Sequence, residues 1–442
     1  MSRLKRRLAY DAGLFFVLFG LISWQLQNQD ALSGSVVLAG VSTVLIGLMI
    51  AFATGLYGSD VALGMRVLNR MFVALVLCIP FLLVVWMLAD IGGLTARAMA
   101  IGLPVGLLVV AALRVAPGAI TAPKAPRQAM VIAPSRVLRP FGNAELIGST
   151  TARLDTTITP ERDGTLDASA VGRIDAFARL HRSDGVIAIS SDVRCEDAVA
   201  NALIDAARHG CATESLNFFL GREFGRLSLE ESDTPAQLIY AQRRRSILVR
   251  AAERAIDIGA ALVLLTLSAP VLAGIWLAIW LEDRGPILFR QARVGLDGKT
   301  FTVLKFRTMR CDAEIGGRAQ WAQLRDPRVT RIGAFLRAHR LDEFPQLLNV
   351  LNGEMSLVGP RPERPELVAE LARRIPYYNL RHKARPGLTG WAQINFPYGA
   401  SVEDAAQKLR FDLYYVKRRS PVMNVFILLQ TVRVVLFAEG AR

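Results

Sequence analysis

Residues 331–363 read RIGAFLRAHRLDEFPQLLNVLNGEMSLVGPRPE. This stretch places an adjacent acid pair, Asp342 and Glu343, after the cation Arg337 and before a second basic turn that contains Arg361. Carboxylates next to cations are typical of phosphate chemistry, in which an acid binds Mg²⁺ or attacks phosphorus while cations neutralise the phosphoryl oxygens. A structural alternative stays open, because Asp342 could instead be the N-cap of a solvated helix.

The flanking segments extend this pattern. The segment LDEFPQLLNVLNGEMSLVGPRPE (341–363) follows GPILFRQARVGLDGKTFTVLKFRTM (285–309) and precedes RPGLTGWAQIN (385–395). In this order, within roughly residues 245–442, the segments resemble the bacterial sugar transferase family, the polyprenyl-phosphate sugar-1-phosphate transferases of the large monotopic phosphoglycosyl transferase type. The tail FPYGASVEDAAQKLRFDLYYVKRRS (396–420) resembles the subgroup associated with exosortase (PEP-CTERM) exopolysaccharide clusters.

The resemblance implies an activity and a set of site residues. The implied reaction transfers a sugar-1-phosphate from a UDP-sugar to undecaprenyl phosphate and releases UMP, as the first membrane step of exopolysaccharide biosynthesis. Asp342 is the implied nucleophile, which forms a covalent aspartyl-phosphosugar, and Glu343 holds Mg²⁺ together with Asp342. The residues expected to contact phosphates and substrate are Lys305, Arg307, Arg337, Arg361, Glu363, Arg385 and Asp412.

The chain departs from the common pattern of the family next to the acid pair. His339 and Arg340 stand where small hydroxylated residues are usual, which changes the local charge and bears on the choice of sugar. We interpret His339 as a positioning contact rather than a catalytic group. One sequence does not distinguish a hexose from an N-acetylhexosamine, since that depends on the shape of the pocket.

Composition indicates a membrane protein. Hydrophobic residues make up 52% of the 442 residues, which favours membrane spans over a larger soluble core. The formal net charge is +15, but the basic residues lie beside apolar segments and in the carboxylate-bearing domain. Anionic lipid and a sugar nucleotide explain this charge better than DNA or RNA does, so we expect no nucleic-acid partner.

Cysteine and histidine usage excludes several kinds of site. The four cysteines are widely spread without a CxxC pair, and the four histidines show no HExxH or related spacing. Neither a zinc ribbon nor a disulfide framework is therefore expected, and free thiols fit a reducing compartment. A bound metal would be a hard ion with oxygen ligands, and Mg²⁺ is the first choice.

Residues 1–113 are predicted to form four transmembrane helices. Apolar runs lie at about 11–26, 34–57, 67–89 and 98–113, each near the length that a bilayer requires. Lysine and arginine are concentrated before the first run, between the second and third, and after the fourth. The positive-inside rule then predicts a multi-pass protein of the cytoplasmic (inner) membrane, with its catalytic domain in the cytoplasm.

A proline- and alanine-rich linker at 114–127 leads to a domain at 128–240. Strands and helices alternate in it, at Ala129–Ala133, Val171–His181, Asp184–Ser190 and Glu196–Arg208. This alternation predicts a small parallel, Rossmann-like sheet. The turn after the first strand reads APSRVLRPFG and lacks GxGxxG, so we expect a structural or regulatory domain rather than a dinucleotide site.

The apolar run 255–281 is predicted to form a re-entrant membrane helix at the start of the catalytic domain, 245–442. Pro270 removes a backbone hydrogen bond near its middle, and basic residues flank both ends, so a helix that enters the membrane and returns satisfies the charge rule. Family members have a Ser-Pro break in this helix. Here Ala269 precedes the proline and Ser268 stands one place earlier.

The rest of the chain is predicted to be a mainly α-helical cytoplasmic domain. The predicted strands and helices lie at 286–290, 300–305, 332–340, 343–352 and 364–374, followed by an interfacial helix at 421–437. The glycines of RPGLTGW (385–391) are expected to permit close backbone approach to a ligand or to membrane headgroups.

Two other functions stay open. One is a membrane glycosyltransferase that releases UDP, and the other is a non-enzymatic scaffold of a polysaccharide assembly complex. The resemblance further implies a homodimer and downstream glycosyltransferases of the polysaccharide pathway as partners.

Overall fold

The computed structural model describes residues 127–141, 152–182, 184–236, 238, 246–310, 328–396 and 401–436, and parts of 11–22, 41–51 and 101–109. The chain divides into two compact units, residues 1–124 with 429–439 and residues 125–428 with 440–442. The described parts of the first unit before residue 110 are helical. The described residues include parts of the first, second and fourth predicted transmembrane helices, and the third, at 67–89, lies wholly outside them.

A four-stranded parallel sheet with the order β2-β1-β3-β4 opens the second unit. Its elements are β1 (Arg127–Ile132), α1 (Ser135–Leu138), β2 (Ala152–Ile158), α2 (Ala168–Leu180), β3 (Gly185–Ile189), α3 (Asp197–Arg208), β4 (Ala212–Ser215) and α4 (Leu216–Glu223). Alternate residues of β1 pack on opposite sides: Met130 and Ile132 against α2 and α3, Ala129 and Val131 against α1 and α4. Helices on both faces therefore require the central strands to be apolar throughout.

The predicted parallel sheet is confirmed, but two of its strands were missed. Both β2, with the sequence ARLDTTI, and β4, with the sequence ATES, lie at the edges of the sheet. Edge strands bury less surface, so their sequences carry little of the apolar pattern that identified β1 and β3. The expectation that this domain binds no dinucleotide stays a prediction.

The longest described helix, α5 (Ile247–Asp283), connects the sheet domain to the rest of the unit. It starts eight residues before the predicted position 255, because the side chain of Ser246 caps it by accepting a hydrogen bond from the backbone of Leu248. Among the described residues, α5 is the helix long and apolar enough to cross a membrane, judged by length and composition. At 1.5 Å per residue it is about 55 Å long, well above the roughly 30 Å of a hydrocarbon core.

The predicted break in this helix is corrected. Helical structure continues through Pro270, and Ser268 Oγ donates to the carbonyl of Leu264 at 2.6 Å. The proline deprives only the carbonyl of Thr266 of its partner, and one missing hydrogen bond does not end a helix in an otherwise apolar, helix-forming run. Any change of direction at Ser268–Pro270 must therefore occur within continuous helix.

Both ends of α5 pack against the same domain. At the N-terminal end, Arg254 donates to the carbonyls of Val350 and Leu351, at 2.6 Å each. At the C-terminal end, Ile275 and Ile279 are buried in an apolar cluster that draws on other parts of the same domain. A helix that crossed a bilayer would hold its ends on opposite sides, so this packing supports the re-entrant arrangement.

The catalytic domain combines short helices with two small strand pairs. Its elements are β5 (Leu288–Val294), β6 (Thr300–Phe306), α6 (Arg331–Ala338), α7 (Gln346–Asn352), β7 (Ser356–Val358), α8 (Pro365–Arg374), β8 (Gly387–Thr389), α9 (Trp391–Asn395), α10 (Val402–Arg418) and α11 (Pro421–Leu436). Strands β5 and β6 form an antiparallel hairpin, and β7 pairs with β8 in parallel. The interfacial placement of α11 stays a prediction.

The glycine-rich loop before α9 has a structural role that sequence analysis did not predict. A Cβ at Gly387 would overlap the backbone of Gly359, and a Cβ at Gly359 would overlap the carbonyl of Arg385. The glycines therefore let the β7 and β8 ends cross closely, and the expected approach to a ligand or to membrane headgroups stays a prediction. This crossing fixes the start of the turn that carries Arg361.

We predict that both ends of α5 face the cytoplasm. Arg250 and Arg290, both exposed and on either side of the apolar run, are each replaced by cysteine in a variant whose four natural cysteines are changed to alanine. A membrane-impermeant maleimide applied to intact cells should label neither position, and both should react after permeabilisation. Labelling of Arg290→Cys in intact cells would contradict the re-entrant arrangement.

Candidate active site

The acid pair lies in one 3₁₀ turn, Leu341–Glu343, between two helices. Helix α6 ends just before this turn, and Arg340 has a left-handed backbone conformation with φ of 55°. That conformation costs a non-glycine residue about 1 kcal/mol, and it turns the chain so that α7 begins as a separate helix. The N-cap of α7 is Pro345 without a side-chain cap, so Asp342 is not the helix cap that the structural alternative required.

Arg337 reaches the site from the last turn of α6. Gly333 allows α6 to approach the end of β6, because a Cβ at this position would overlap the carbonyl oxygen of Thr308. Across this contact, Arg337 Nε donates a hydrogen bond to Thr308 Oγ1 at 2.8 Å. The bond orients the guanidinium, and its positive charge acts on Asp342.

Glu343 is held by two cations from separate elements. Arg361 donates to Glu343 Oε1 at 2.6 Å and to Oε2 at 3.4 Å, while Lys305 Nζ donates to Oε1 at 3.2 Å. The Glu343 side chain is 13% exposed. Burial alone would raise the pKa of Glu343, but the positive charges of Arg361 and Lys305 outweigh it and hold that pKa far below its usual range.

Lys305 is placed by the packing of β6 on α7. The side chain of Asn349 links the two elements, since its Oδ1 accepts from the backbone of Leu304 at 3.1 Å and its Nδ2 donates to the carbonyl of Thr302 at 2.7 Å. Burial lowers the pKa of Lys305, with the charge of Arg361 acting in the same direction. The fixed neighbour Leu304 therefore sets the position from which Lys305 meets the acid pair.

Asp342 lies in a different environment, although it is adjacent in sequence. In the part of the chain that the structure describes, its half-buried carboxylate accepts no hydrogen bond. Burial raises the pKa of Asp342, and the negative charge of Glu343 raises it further, while Lys305, Arg337 and Arg361 offset part of this rise. One acid is thus locked in ion pairs, and its neighbour keeps an unbonded carboxylate among three cations.

A second layer of charged residues supports the turn that carries Arg361. Arg381 donates to the backbone carbonyl of Arg361 at 3.0 Å and to Asp412 Oδ2 at 2.8 Å. Asp412 is only 2% exposed and its carboxylate positions Arg381, while its predicted contact with the substrate stays a prediction. Glu363 accepts from Lys408 Nζ at 3.0 Å, and although burial opposes it, the charge of Lys408 helps to keep the pKa of Glu363 low.

Three other residues singled out in the sequence are Arg307, Arg385 and His339. Arg307 is buried at the end of β6. Arg385 makes no side-chain hydrogen bond to any described residue, and its charge acts on Asp257 of α5. His339 Nδ1 lies 2.9 Å from the carbonyl oxygen of Phe335 at the end of α6, which fits a positioning contact. The structure thus brings Lys305, Arg337 and Arg361 to the acid pair, and the substrate contacts of Arg307 and Arg385 stay predictions.

Sequence reasoning missed three residues of the supporting layer: Thr308, Arg381 and Lys408. A signal existed for Lys408, because it precedes Asp412 by four residues, a spacing that places both on one face once the segment is helical, as it is in α10. No pattern marked Arg381, which follows α8 in a 3₁₀ helix, Tyr378–Lys383. Its role depends on a contact between residues 381 and 361 that only the fold creates.

The acid pair fits a Mg²⁺ ion that also binds substrate phosphates. Within the described ranges no three acidic, histidine or cysteine side chains cluster as a metal site. Mg²⁺ is commonly bound by one or two carboxylates together with phosphate oxygens, so two acids suffice. The free carboxylate of Asp342 and the Oε2 atom of Glu343, which has only a 3.4 Å contact, are the available ligands.

Comparison with known proteins matches residues 248–438 to the bacterial sugar transferase family. Over 190 residues the chain is 44% identical to a UDP-N-acetylgalactosamine-undecaprenyl-phosphate N-acetylgalactosaminephosphotransferase of Aeromonas hydrophila, covering 43% of this chain and 45% of that protein. It is 47% identical over 191 residues to the UDP-glucose:undecaprenyl-phosphate glucose-1-phosphate transferase of Caulobacter vibrioides, covering 43% of this chain and 71% of that protein.

A third relative is the exopolysaccharide production protein PSS of Rhizobium leguminosarum bv. phaseoli, 44% identical over 186 residues, which are 41% of this chain and 92% of that protein. The chain thus spans less than half the length of the Aeromonas protein and most of the Rhizobium one. The match to the family leaves residues 1–247 outside it.

We predict opposite stability effects for the two acids. The raised pKa of Asp342 means that its charged form destabilises the fold at neutral pH, whereas the lowered pKa of Glu343 means that its charge stabilises the fold and that this stability is lost only in acid. Asp342→Asn should therefore keep or raise the apparent Tm in detergent at pH 7. Glu343→Gln should lower the unfolding free energy by about 2 kcal/mol, because it removes the carboxylate that Lys305 and Arg361 share.

The control for this comparison is Glu403→Gln, which changes an exposed acid at the start of α10 and should leave Tm unchanged. A marked drop in Tm for Asp342→Asn, or none for Glu343→Gln, would show that the two carboxylates do not have these separate roles.

Proposed function

The chain belongs to the bacterial sugar transferase family, and we propose that it transfers a sugar-1-phosphate from a UDP-sugar to undecaprenyl phosphate, with release of UMP. The names of the relatives from Aeromonas and Caulobacter support the substrate class. The observation that carries the proposal is the unbonded carboxylate of Asp342 amid Lys305, Arg337 and Arg361. Such a group can attack a phosphorus whose oxygens the cations neutralise.

The proposed first step forms a covalent aspartyl-phosphosugar. A carboxylate oxygen of Asp342 attacks the phosphorus that bears the sugar, and a new O–P bond forms. The bond between this phosphorus and the bridging oxygen breaks, and UMP leaves with that oxygen and its electron pair. The carboxylate is a weak nucleophile, so the three cations around it have to lower the negative charge on the phosphate before attack.

The proposed second step regenerates the enzyme. A phosphate oxygen of undecaprenyl phosphate attacks the same phosphorus, and its bond to Asp342 breaks, which restores the carboxylate. One phosphoanhydride is exchanged for another, so no separate energy source is required. A covalent stage also suits a site whose two substrates arrive from water and from the membrane, because UMP can leave before the lipid binds.

Mg²⁺ is proposed as the cofactor, held by Glu343 and Asp342. When bound it would supply further positive charge to the diphosphate of the UDP-sugar. For Glu343 to bind the ion more fully, Arg361 and Lys305 would shift part of their contact from Glu343 to the substrate phosphates. Their separate placement, on β6 and on the turn after β7, allows each to move without the other.

Several finer statements form part of the same proposal. The tail 396–420 supports assignment to the exosortase-associated exopolysaccharide subgroup, and the name of the Rhizobium relative supports a role in exopolysaccharide production. We further propose that the protein is a multi-pass inner-membrane protein with α5 as a re-entrant helix. It would act as a homodimer and pass its lipid-linked product to downstream glycosyltransferases.

We predict that the purified protein, incubated with undecaprenyl phosphate and a panel of UDP-sugars, releases UMP with at least one of them. Nucleotide analysis separates the alternatives directly. Release of UDP would indicate a glycosyltransferase, and neither release nor binding of any UDP-sugar would indicate a scaffold. The same panel identifies the sugar, which the residues alone do not.

We predict a burst of UMP when the lipid acceptor is left out. The amount should approach one UMP per active site, with a radiolabelled sugar phosphate left on the protein. Asp342→Asn should abolish both the burst and the label. Glu343→Gln should slow turnover severely and weaken its dependence on Mg²⁺.

Glu403→Gln serves as the matched control and should give the full burst. Substantial turnover by Asp342→Asn would instead mean direct transfer between the substrates, with Asp342 reduced to a metal ligand.

A further inference from the structure

The segment Leu227–Glu231, here called the clasp, lies between the sheet domain and α5. It binds the sheet domain on one side and the catalytic domain on the other. Two adjacent acids make these two contacts: Glu231 contacts the sheet domain, and Glu230 contacts α10 of the catalytic domain. Neither contact belongs to the reaction proposed above, and the clasp lies outside the segment that matches the family.

Glu231 fills the crevice at the end of the central strands. Its carboxylate accepts hydrogen bonds from Ser190 Oγ at 2.5 Å, from Ser191 Oγ at 3.0 Å and from the backbone N–H of Ser191 at 3.1 Å. Only 1% of Glu231 is exposed. In doubly wound sheets this crevice, where the strand order reverses, is where ligands bind. Here an acid of the same chain occupies it, so the sheet anchors the clasp.

Glu230 connects the clasp to α10. Arg410 donates to its two carboxylate oxygens at 2.7 and 2.6 Å, and the backbone carbonyl of Arg410 accepts from the N–H of Leu227 at 3.1 Å. Arg410 is 3% exposed and the Glu230 side chain 27%, so this fork-like ion pair is partly shielded from water on its arginine side. Shielded bidentate pairs fix geometry more strongly than exposed ones do.

Helix α10 carries the connection on to the active site. Asp412 stands two residues after Arg410, and residues with this spacing point to different sides of a helix. On that other side Asp412 binds Arg381, which binds the carbonyl of Arg361, and Arg361 binds Glu343. The helix thus lies between the clasp and the turn that places a cation beside the acid pair.

We propose that the clasp is a positioning element for the active site, which holds α10 where Asp412 and Arg381 keep Arg361 beside the acid pair. The sheet domain then supports the geometry of catalysis, with its own Glu231 in the ligand crevice. Glu230 and Arg410 are positioning residues and do not contact the substrate. This inference rests on the proposed function for its kinetic consequences, but its structural part stands independently.

The kinetic test uses Glu230→Gln, with Glu403→Gln as the matched change of an exposed acid next to the same helix start. The burst of UMP without acceptor gives two quantities for each variant. Its amplitude counts folded, competent sites, and its rate reports chemistry in those sites. We expect the burst rate of Glu230→Gln to fall about tenfold at unchanged amplitude, with KM for the UDP-sugar changed less than twofold. A lower amplitude at an unchanged rate would mean that the pair only stabilises the fold.

The structural test needs no activity. Hydrogen–deuterium exchange on the full chain in detergent should show faster exchange over residues 359–363 and 378–383 in Glu230→Gln, and no change there in Glu403→Gln. If wild-type protein releases no UMP, the proposed function fails. The exchange measurement still decides whether the Glu230–Arg410 pair holds the segments around Arg361 and Arg381 in place. Unchanged exchange in both segments would overturn the proposal.

Discussion

The ion pairs of Glu343 are the constraint on which the active site depends. Lys305 and Arg361 come from distant parts of the sequence, and two cations would repel each other at close range without a carboxylate between them. Glu343 brings them within bonding distance of one side chain. Because Glu343 pairs with both cations, Asp342 does not have to, and its carboxylate accepts no hydrogen bond from any residue that the structure describes. Two adjacent acids thus differ in role through environment alone.

The different roles of Asp342 and Glu343 also explain why the acid pair lies in a tight turn rather than in a helix. A continuous helix through residues 338–346 would point neighbouring side chains about 100° apart along a regular surface. The left-handed Arg340 ends α6 early, and the 3₁₀ turn presents both acids to the cations of β6 and of the turn after β7. Local backbone strain of this kind is typical of functional sites, where the surrounding structure has to enforce it.

Sequence analysis found the acid pair, its three cations and the parallel sheet, because each has a local signal. Adjacent charges and apolar strands can be recognised without knowing what they pack against. It missed Arg381 and the clasp, whose meaning lies in contacts between residues far apart in sequence. It also did not foresee that the glycines before α9 pack on Gly359. Their expected approach to a ligand or to headgroups stays a prediction.

The helix α5 and the sheet domain both hold the catalytic domain in place. Under the proposed function, a site that joins a water-soluble nucleotide to a lipid phosphate has to lie at the membrane surface, and α5, which contacts this domain at both its ends, would provide that placement. The sheet domain contacts the catalytic domain at α10, where Arg410 binds Glu230, and at α9, where Trp391 donates to the carbonyl of Gly225 at 2.6 Å. The supporting layer behind Arg361 is therefore attached to the sheet domain through α10, and the geometry proposed for Asp342 depends on this attachment as well as on α5.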